Sequence, residues 1–301
     1  MLGPLTLLVL SFWLRGMQIT FRGTRGSIPS PGPQTARYGG NTSCVDVRLD
    51  DGTLMIFDAG TGIRVLGGAM MAKPGPIEAY VFLTHMHWDH IQGLPFFAPA
   101  FLDTTRLHFF GPEESPLTLE QVLCDQMRRP YYPIPMHAMA GRMDFTSMTD
   151  GSVSHAVPGV TIEACELNHP GKTLGYRVET EGKIFVYATD NEPFGADPVT
   201  QHLVSPSRLV SFAQGADLLI QDAQYTLQEY SQRLGWGHST HIDALQLARD
   251  AGVKQLALYH HDPSHTDMDI DQMVVHCQAW MLKHQAAFTF FAACEGDMVT
   301  L

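Results

Sequence analysis

Short apolar runs punctuated by glycine and proline recur along the 301-residue chain and predict a protein rich in β-strands. The runs that fit strands span about residues 17–22, 43–49, 53–58, 79–84, 105–110, 160–167, 173–178, 183–188, 218–222, 255–259 and 287–292. No repeat of 20–50 residues interrupts this pattern, so a repeat protein is not indicated.

Helical patterns are fewer and fall between the strands, over about residues 61–71, 116–128, 241–251 and 269–284. The residues expected at their first turns or caps are Ser115 with Pro116, Ser239 with Thr240, and Asp267 with Asp269. Strands come in clusters first and alternate with helices later. This order predicts an α/β (α+β) fold in which sheet is packed between helices, in one domain of two halves.

The densest polar segment is Thr84-His85-Met86-His87-Trp88-Asp89-His90, which directly follows the apolar run 79–83. Alternation along a strand places His85 and His87 on the same side, and a turn would let Asp89 and His90 reach a second point nearby. Imidazoles with a carboxylate suit zinc, manganese or iron, so this segment predicts a metal site.

Further ligands are expected where other strands end, because rigid elements hold a metal geometry best. His169 follows the strand at 160–167, and Asp190 follows the strand at 183–188. His260 and His261 both follow the strand at 255–259, so these residues alone leave the choice between them open.

Taken together, these residues resemble the metallo-β-lactamase superfamily, most closely its phosphodiesterase branch, which includes ribonuclease Z and cyclic-phosphate phosphodiesterases. The likeness runs from Met17 almost to the end of the chain. Its supporting segments are Gly39-Gly40-Asn41-Thr42-Ser43, Phe57-Asp58-Ala59-Gly60-Thr61-Gly62, Gly175-Tyr176-Arg177 and Gly237-His238-Ser239-Thr240. The resemblance implies a four-layer αββα sandwich with the site at the edge between its two sheets.

The resemblance also implies a ligand set for two divalent ions, most simply zinc, with manganese or iron as alternatives. One ion would be held by His85, His87 and His169, the other by Asp89, His90 and His260, with Asp190 bridging them. His260 is preferred because the family's last ligand ends the strand after the His-Ser-Thr helix. Asp58 would support the ligand loop, and His261 would be a supporting, substrate-side or solvated residue.

Such a site implies hydrolysis at phosphorus by a metal-bound hydroxide. The residues expected to act in catalysis are Asp89, His238 and Asp222. His238 would supply a proton to the leaving group, and Asp222 would orient it, although Gln221-Asp222-Ala223-Gln224 replaces the H-E-A-T segment of ribonuclease Z relatives. The alternative is that His238 only caps the helix that follows.

Residues 128–145 form a Pro- and aromatic-rich stretch without a clear period, which predicts a long loop. The loop is either a lid or binding loop, or a packed surface excursion. Its candidate substrate contacts, to a phosphate and a base, are Arg128, Arg129, Tyr131 and Tyr132. The alternative is that these aromatic side chains pack the loop itself.

The composition favours a globular enzyme over a protein that binds long nucleic acids. The chain is 45% hydrophobic, which is typical of a globular enzyme, and its net charge of −12 with scattered basic residues disfavours extensive nucleic-acid binding. The five cysteines form no C-x-x-C pair, which predicts free thiols and a reducing, cytoplasmic compartment.

Residues 1–16 carry an apolar stretch that is too short to span a bilayer and lacks the features of a signal peptide. We expect a start-site extension ahead of a hydrolase domain at 17–301, without stable membrane insertion. The alternative is a short membrane or partner anchor.

The sequence is compatible with three functions. The first is a phosphodiesterase for small substrates such as cyclic nucleotides or cyclic phosphates. The second is a tRNA-processing ribonuclease, which the altered segment at 221–224 and the absence of a long basic arm count against. The third is a non-catalytic metal sensor or interaction protein. A homodimer is expected from the resemblance alone.

Overall fold

The computed structural model describes residues 16–73, 75–192 and 205–301, which form two seven-stranded sheets. The apolar extension therefore lies outside the described residues, except for Gly16. The first sheet contains β1 (Met17–Gly23), β2 (Cys44–Leu49), β3 (Leu54–Phe57), β4 (Ile77–Phe82), β5 (Thr105–Gly111) and β6 (Arg142–Ser147). The second contains β7 (Val153–Ser154), β8 (Thr161–Glu166), β9 (Leu174–Thr180), β10 (Lys183–Ala188), β11 (Leu218–Asp222), β12 (Gln255–Tyr259) and β13 (Thr289–Ala292). The last strand, β14 (Met298–Thr300), returns to the edge of the first sheet beside β1.

The helices in the described part of the chain are mostly short. They are α1 (Gly62–Met71), α2 (Trp88–Ile91), α3 (Leu119–Gln126), α4 (Pro206–Phe212), α5 (Leu227–Tyr230), α6 (His241–Asp250) and α7 (Asp267–His284). Turns of 3₁₀ helix occupy Leu94–Phe96, Ala98–Phe101 and Met136–Ala138. None of these helices is long and apolar enough to cross a membrane.

Three apolar layers separate the sheets and helices. Between the sheets, the ring of Phe57 lies 5.3 Å from that of Phe185 and 5.6 Å from that of Tyr187. A second cluster covers the outer face of the first sheet with side chains of α1 and α3, and a third covers the second sheet with α4, α6 and α7. Each sheet thus buries one face against the other sheet and one face against helices. This arrangement confirms the four-layer αββα sandwich that the resemblance implies.

Strand direction brings several strand ends to one edge. In the first sheet β3, β4, β5 and β6 are parallel, and in the second β10, β11, β12 and β13 are parallel. Parallel strands end on the same side of their sheet, where open α/β folds place their ligands. The segments that follow β3, β4, β10, β11 and β12 carry the predicted site residues.

The predicted helix starts needed correction at two positions. Pro116 does not begin α3, since the helix starts at Leu119 behind Thr118, whose hydroxyl accepts from the Gln121 amide. In α7, Thr266 rather than either aspartate is the cap, and the carboxylate of Asp269 accepts in return from the Thr266 amide. In both cases a reciprocal capping box satisfies amides that a proline or a lone aspartate would leave unpaired.

Secondary structure was also missed where the apolar pattern is weak. Strands β6, β7 and β14 consist mainly of half-exposed and exposed residues, so they lack the alternating pattern that predicts a strand. The stretch 128–145 is not one irregular loop, because it contains a 3₁₀ turn and its last residues enter β6. All five cysteines are free thiols.

Candidate functional site

Six of the predicted site residues lie directly after strands that end at the common edge. His85, His87, Asp89 and His90 follow β4, Asp190 follows β10 and His260 follows β12. His169 comes from the connection between β8 and β9. The fold therefore gathers residues from both sheets at the cleft between them.

One group of ligand atoms consists of three imidazoles. The Nδ1 atom of His87 lies 3.0 Å from Nε2 of His169, and the ring of His85 lies 4.5 Å from that of His87 and 4.9 Å from that of His169. One nitrogen from each ring lies within 4.8 Å of the others. His87 is exposed, whereas His85 and His169 are buried, so this group faces the opening of the site.

A second group combines imidazoles with carboxylates. Oδ2 of Asp89 lies 3.3 Å from Nε2 of His90 and 3.2 Å from Nε2 of His260. Asp190 lies between the two groups. Its Oδ1 is 3.2 Å from Nε2 of His90, while its Oδ2 is 3.7 Å from Nε2 of His85 and 3.8 Å from that of His169. The two oxygens of Asp190 thus face different groups, which is the geometry of a carboxylate that can bridge two cations.

The opposite ring nitrogens of four histidines are fixed by hydrogen bonds. In each ring Nδ1 is the donor. His85 donates to the Thr84 hydroxyl (3.0 Å) and His90 to the Asp58 carboxylate (2.8 Å). His169 donates to the Gly237 carbonyl (2.9 Å) and His260 to the Gln224 side-chain oxygen (2.8 Å). Such bonds fix the tautomer and direct the free nitrogen of each ring into the site. Asp58 also accepts from the Thr84 amide and the Tyr187 hydroxyl, which ties the loop after β4 to the second sheet.

The donor atoms fit a divalent metal site. Nε2 of His85 and Nε2 of His90 are buried and make no hydrogen bond within the part of the chain that the structure describes. Polar atoms buried without a partner are costly, and both point toward the carboxylate of Asp190. A cation at each group would satisfy them.

Electrostatics support the same conclusion. Although the side chain of His87 is partly exposed, its ring is desolvated by its neighbours, which lowers its pKa; burial lowers the pKa of His169 to about 3. Both rings are therefore neutral and available as ligands. Burial also opposes a charge on His90, yet the carboxylates of Asp190, Asp89 and Asp58 outweigh it and raise the pKa of His90. The excess negative charge around His90 thus favours a cation at this point.

Backbone strain is concentrated at the site. Asp58, Asp190 and His260 have φ angles of 61°, 52° and 61°, in the left-handed region that non-glycine residues rarely adopt. Each is the first or second residue after a strand. Such strain persists only where the surrounding structure holds it, and the hydrogen bonds of these side chains provide that hold.

His238 and Asp222 form a buried pair beside both groups. The Nδ1 atom of His238 lies 2.6 Å from Oδ2 of Asp222, and its ring lies 5.0 Å from the rings of both His169 and His260. Burial disfavours a charged ring, but Asp222, followed by Asp190 and Asp89, raises the pKa of His238 to about 9. The helix cap belongs to Thr240, so His238 does not cap α6.

Glu192 is a positioning residue that sequence reasoning missed. Its buried carboxylate accepts from the Tyr230 hydroxyl at 2.7 Å and from the amides of Gly235 and Gly237 at 3.0 Å. It thereby fixes the loop whose Gly237 carbonyl orients His169. The closely spaced glycines of 235–237 are the only sequence signal, since they mark backbone that approaches another group closely.

Some predicted residues are not brought to the cluster. His261 is buried and turned away, and its Nε2 donates to the Ala293 carbonyl, so the solvated alternative is wrong. Tyr132 is half-buried, because its hydroxyl donates to the Pro95 carbonyl and its ring packs on Phe96. Tyr132 therefore anchors the loop to the segment after α2.

Three other residues of that loop are exposed. They are Arg128, Arg129 and Tyr131. Neither guanidinium forms a hydrogen bond or ion pair with any of the described residues. Within the described part of the chain, no side-chain hydrogen bond, ion pair or ring contact joins this patch to the cluster.

Comparison with known proteins agrees with this geometry. A family model described as "Beta-lactamase superfamily domain" matches residues 53–261, which include all the histidines and carboxylates of the two groups. Ribonuclease Z of Synechococcus sp. (strain CC9311) is 29% identical over 296 residues, covering 82% of this chain and 88% of that protein.

Two solved structures show the same fold. One is the metallo-beta-lactamase fold protein YhfI from Bacillus subtilis, with a TM-score of 0.67 and 17% identity. The superposition covers 95% of this chain and 100% of that protein. The short form of human tRNase Z covers 94% of this chain with 98% of its own length, at a TM-score of 0.65 and 18% identity.

Proposed function

The chain belongs to the beta-lactamase superfamily domain family, and we propose that it is a metal-dependent hydrolase that cleaves phosphodiester bonds of small substrates such as cyclic nucleotides or cyclic phosphates. The observation that carries this proposal is the carboxylate of Asp190, whose two oxygens face two separate groups of nitrogen ligands. Two divalent ions side by side fit this arrangement. Zinc is the first choice, because imidazole and carboxylate ligands suit it well.

In this proposal His85, His87 and His169 hold one ion and Asp89, His90 and His260 hold the other, with Asp190 between them. When bound, the ions would supply Lewis acidity that activates water and neutralises charge on the phosphoryl oxygens. The chain's own residues orient the ligands. Asp58, Gly237 and Gln224 hold the ligand rings in place, and Ser27 donates its amide to Asp89 at 2.8 Å.

The leaving alkoxide needs a proton, and His238 is the group placed to give it. Burial opposes a charge on this ring, but Asp222, Asp190 and Asp89 raise the pKa of His238 to about 9 when no ion is bound. Of these three carboxylates, Asp222 is the one that holds no ion in this proposal, and its hydrogen bond favours the protonated ring. Asp222 accepts from Nδ1, so Nε2 of the same ring remains as the proton donor. Asp222 thus replaces, with a side chain shorter by one methylene, the glutamate expected in ribonuclease Z relatives.

A second candidate function is a ribonuclease. Relatives named ribonuclease Z align over most of the chain. The exposed patch of Arg128, Arg129 and Tyr131 offers an aromatic ring and two cations that pair with none of the described residues. These groups suit a phosphate and a base of a longer RNA. The net charge of −12 weakens this alternative, because a long RNA backbone would meet an acidic surface elsewhere.

The two candidates are separated by comparing substrates on one preparation. We expect the zinc-loaded protein to hydrolyse a cyclic nucleotide with a higher kcat/KM than a precursor tRNA. Replacing Asp190 by Asn should abolish either activity, whereas the exposed control Asp103→Asn should retain it. Preferential cleavage of precursor tRNA, lost in an Arg128→Ala/Arg129→Ala variant, would favour the ribonuclease. Absence of both activities with metal bound would favour a non-catalytic role.

A further inference from the structure

Three large apolar side chains beside the site are exposed to solvent, although most of the apolar side chains of this fold are buried. Trp88 is 78% exposed, Trp236 is 59% exposed and Ile28 is 59% exposed. We call these three residues the apolar rim. Exposed apolar surface that gathers in one place marks a binding site more often than a scattered residue does.

Each residue of the apolar rim lies next to a site residue or its support in the chain. Trp88 lies between His87 and Asp89 in the chain, and Ile28 follows Ser27, whose amide donates to Asp89. Consecutive Cα atoms are about 3.8 Å apart, so both side chains start within a few ångströms of the ligand residues. Because His87 is itself exposed, Trp88 adjoins the ligand residue that solvent reaches.

Trp236 lies next to the site in the loop between α5 and α6. It precedes Gly237, whose carbonyl holds His169. The guanidinium carbon of Arg233 lies 5.5 Å from the centre of the Trp236 ring and 4.9 Å from that of Tyr225. The Tyr225 ring in turn lies 5.8 Å from that of His238. These contacts fix Trp236 on the side of the proton donor.

The charge of the rim limits what it can bind. The three segments 26–30, 86–92 and 234–238 contain no lysine or arginine. The two arginines that directly precede these segments are already engaged: Arg25 is buried and donates to the carbonyls of Gly39, Asp262 and His265, and Arg233 is paired with Asp262 at 3.0 Å. The rim therefore offers apolar surface near the proposed site without a lysine or arginine of its own for a second phosphate.

We propose that the apolar rim binds an aromatic group, a nucleobase, that is attached to the phosphodiester being cleaved. The substrate class would then be a cyclic or otherwise nucleotide-sized phosphodiester. This inference rests on the proposed phosphodiesterase function. Every base presents a face that can stack on an indole ring, and such stacking contributes about 1–3 kcal/mol per base. Trp88 and Trp236 provide the rings, and Ile28 provides apolar contact beside them.

The test compares two substrates that share a cyclic phosphate but differ in the attached group. One is a 2′,3′-cyclic nucleotide, and the other is a cyclic phosphate of a simple alkyl diol. Stacking of 1–3 kcal/mol corresponds to roughly 5- to 150-fold in kcat/KM, so Trp88→Ala and Trp236→Ala should each lower the nucleotide preference at least about fivefold. Trp88→Phe should restore part of that preference. Leu282→Ala, at an 82% exposed position on α7, should leave it unchanged.

A calorimetric measurement of nucleoside monophosphate binding to the zinc-loaded protein separates failure of the phosphodiesterase function from failure of the rim proposal. If neither substrate is hydrolysed but Trp88→Ala weakens this binding, the phosphodiesterase function fails and the rim stands. If both substrates are hydrolysed and both tryptophan variants keep the wild-type preference, the rim proposal is overturned. An equal loss for both substrates also overturns it, since the tryptophans would then act on the site as a whole.

Discussion

At the scale of single residues, the site depends on side chains that act through a neighbour. Asp222 raises the pKa of His238 to about 9 against the effect of burial, and Gln224 fixes the ring of His260. A histidine paired in this way is protonated near neutral pH and can act as an acid, whereas a buried unpaired histidine would be neutral. The pair therefore sets the protonation state that the proposed chemistry requires.

This pair predicts a specific pH dependence of stability in the metal-free protein. The folded-state pKa of His238 lies above the unfolded value of about 6.5, so its proton stabilises the fold fully below that pH. The contribution, on the order of 3 kcal/mol, is lost as the pH rises through about 9. We expect the free energy of unfolding in urea to fall more between about pH 6 and pH 10 for the wild type than for Asp222→Asn.

His238→Ala is the matched comparison, because it removes the titrating group itself. It should show the same weaker pH dependence as Asp222→Asn. Identical pH dependence in all three proteins would mean that Asp222 does not hold the proton on His238.

At the scale of elements, the loops after parallel strands carry the site, and one glycine shows how tightly they pack. Gly237 has a φ of 81°, and a Cβ at this position would collide with Nδ1 of His169 and with the ring of Pro170. Glu192 holds the Gly237 amide from the other side. The loop thus has no freedom to move away from His169.

Replacing Gly237 by Ala should therefore weaken metal binding. We expect at least about a tenfold loss of affinity, in the range seen when a partner that orients a ligand is disturbed. Gly252→Ala is the control, because Gly252 has a φ of 62° but open space around its Cβ position. Competition with a chelator should show the loss for Gly237→Ala alone. The same loss in both variants would assign the effect to backbone strain instead.

The proposed metal ligands could be predicted from the sequence because most of them follow an apolar strand. The strands ending before Asp190 and His260 are mostly buried, and the strand before His85 ends in the buried pair Val81 and Phe82, so their apolar pattern is clear. Glu192 and Gln224 could not be predicted, since their partners come from loops distant in the chain. The edge strand β14 was missed because its three residues alternate without a buried position.

At the scale of the whole molecule, local and overall charge differ in sign. The chain carries a net charge of −12, yet the site gathers histidines and carboxylates that could hold a metal ion at the edge between the sheets. Bound divalent ions can invert the local potential, so a small anion can enter where an extended polyanion is repelled. This contrast is the main reason to place a small phosphodiester ahead of a long RNA.

We propose that two divalent ions, held on either side of Asp190, would make this protein a phosphodiesterase. The most direct test is to titrate the metal-free protein with zinc while following both bound metal and hydrolysis of bis(p-nitrophenyl) phosphate. We predict two ions bound per chain, with hydrolysis reaching its maximum as the second site fills. Saturation at a single ion with full activity, or two bound ions without hydrolysis of any phosphodiester, would contradict the account.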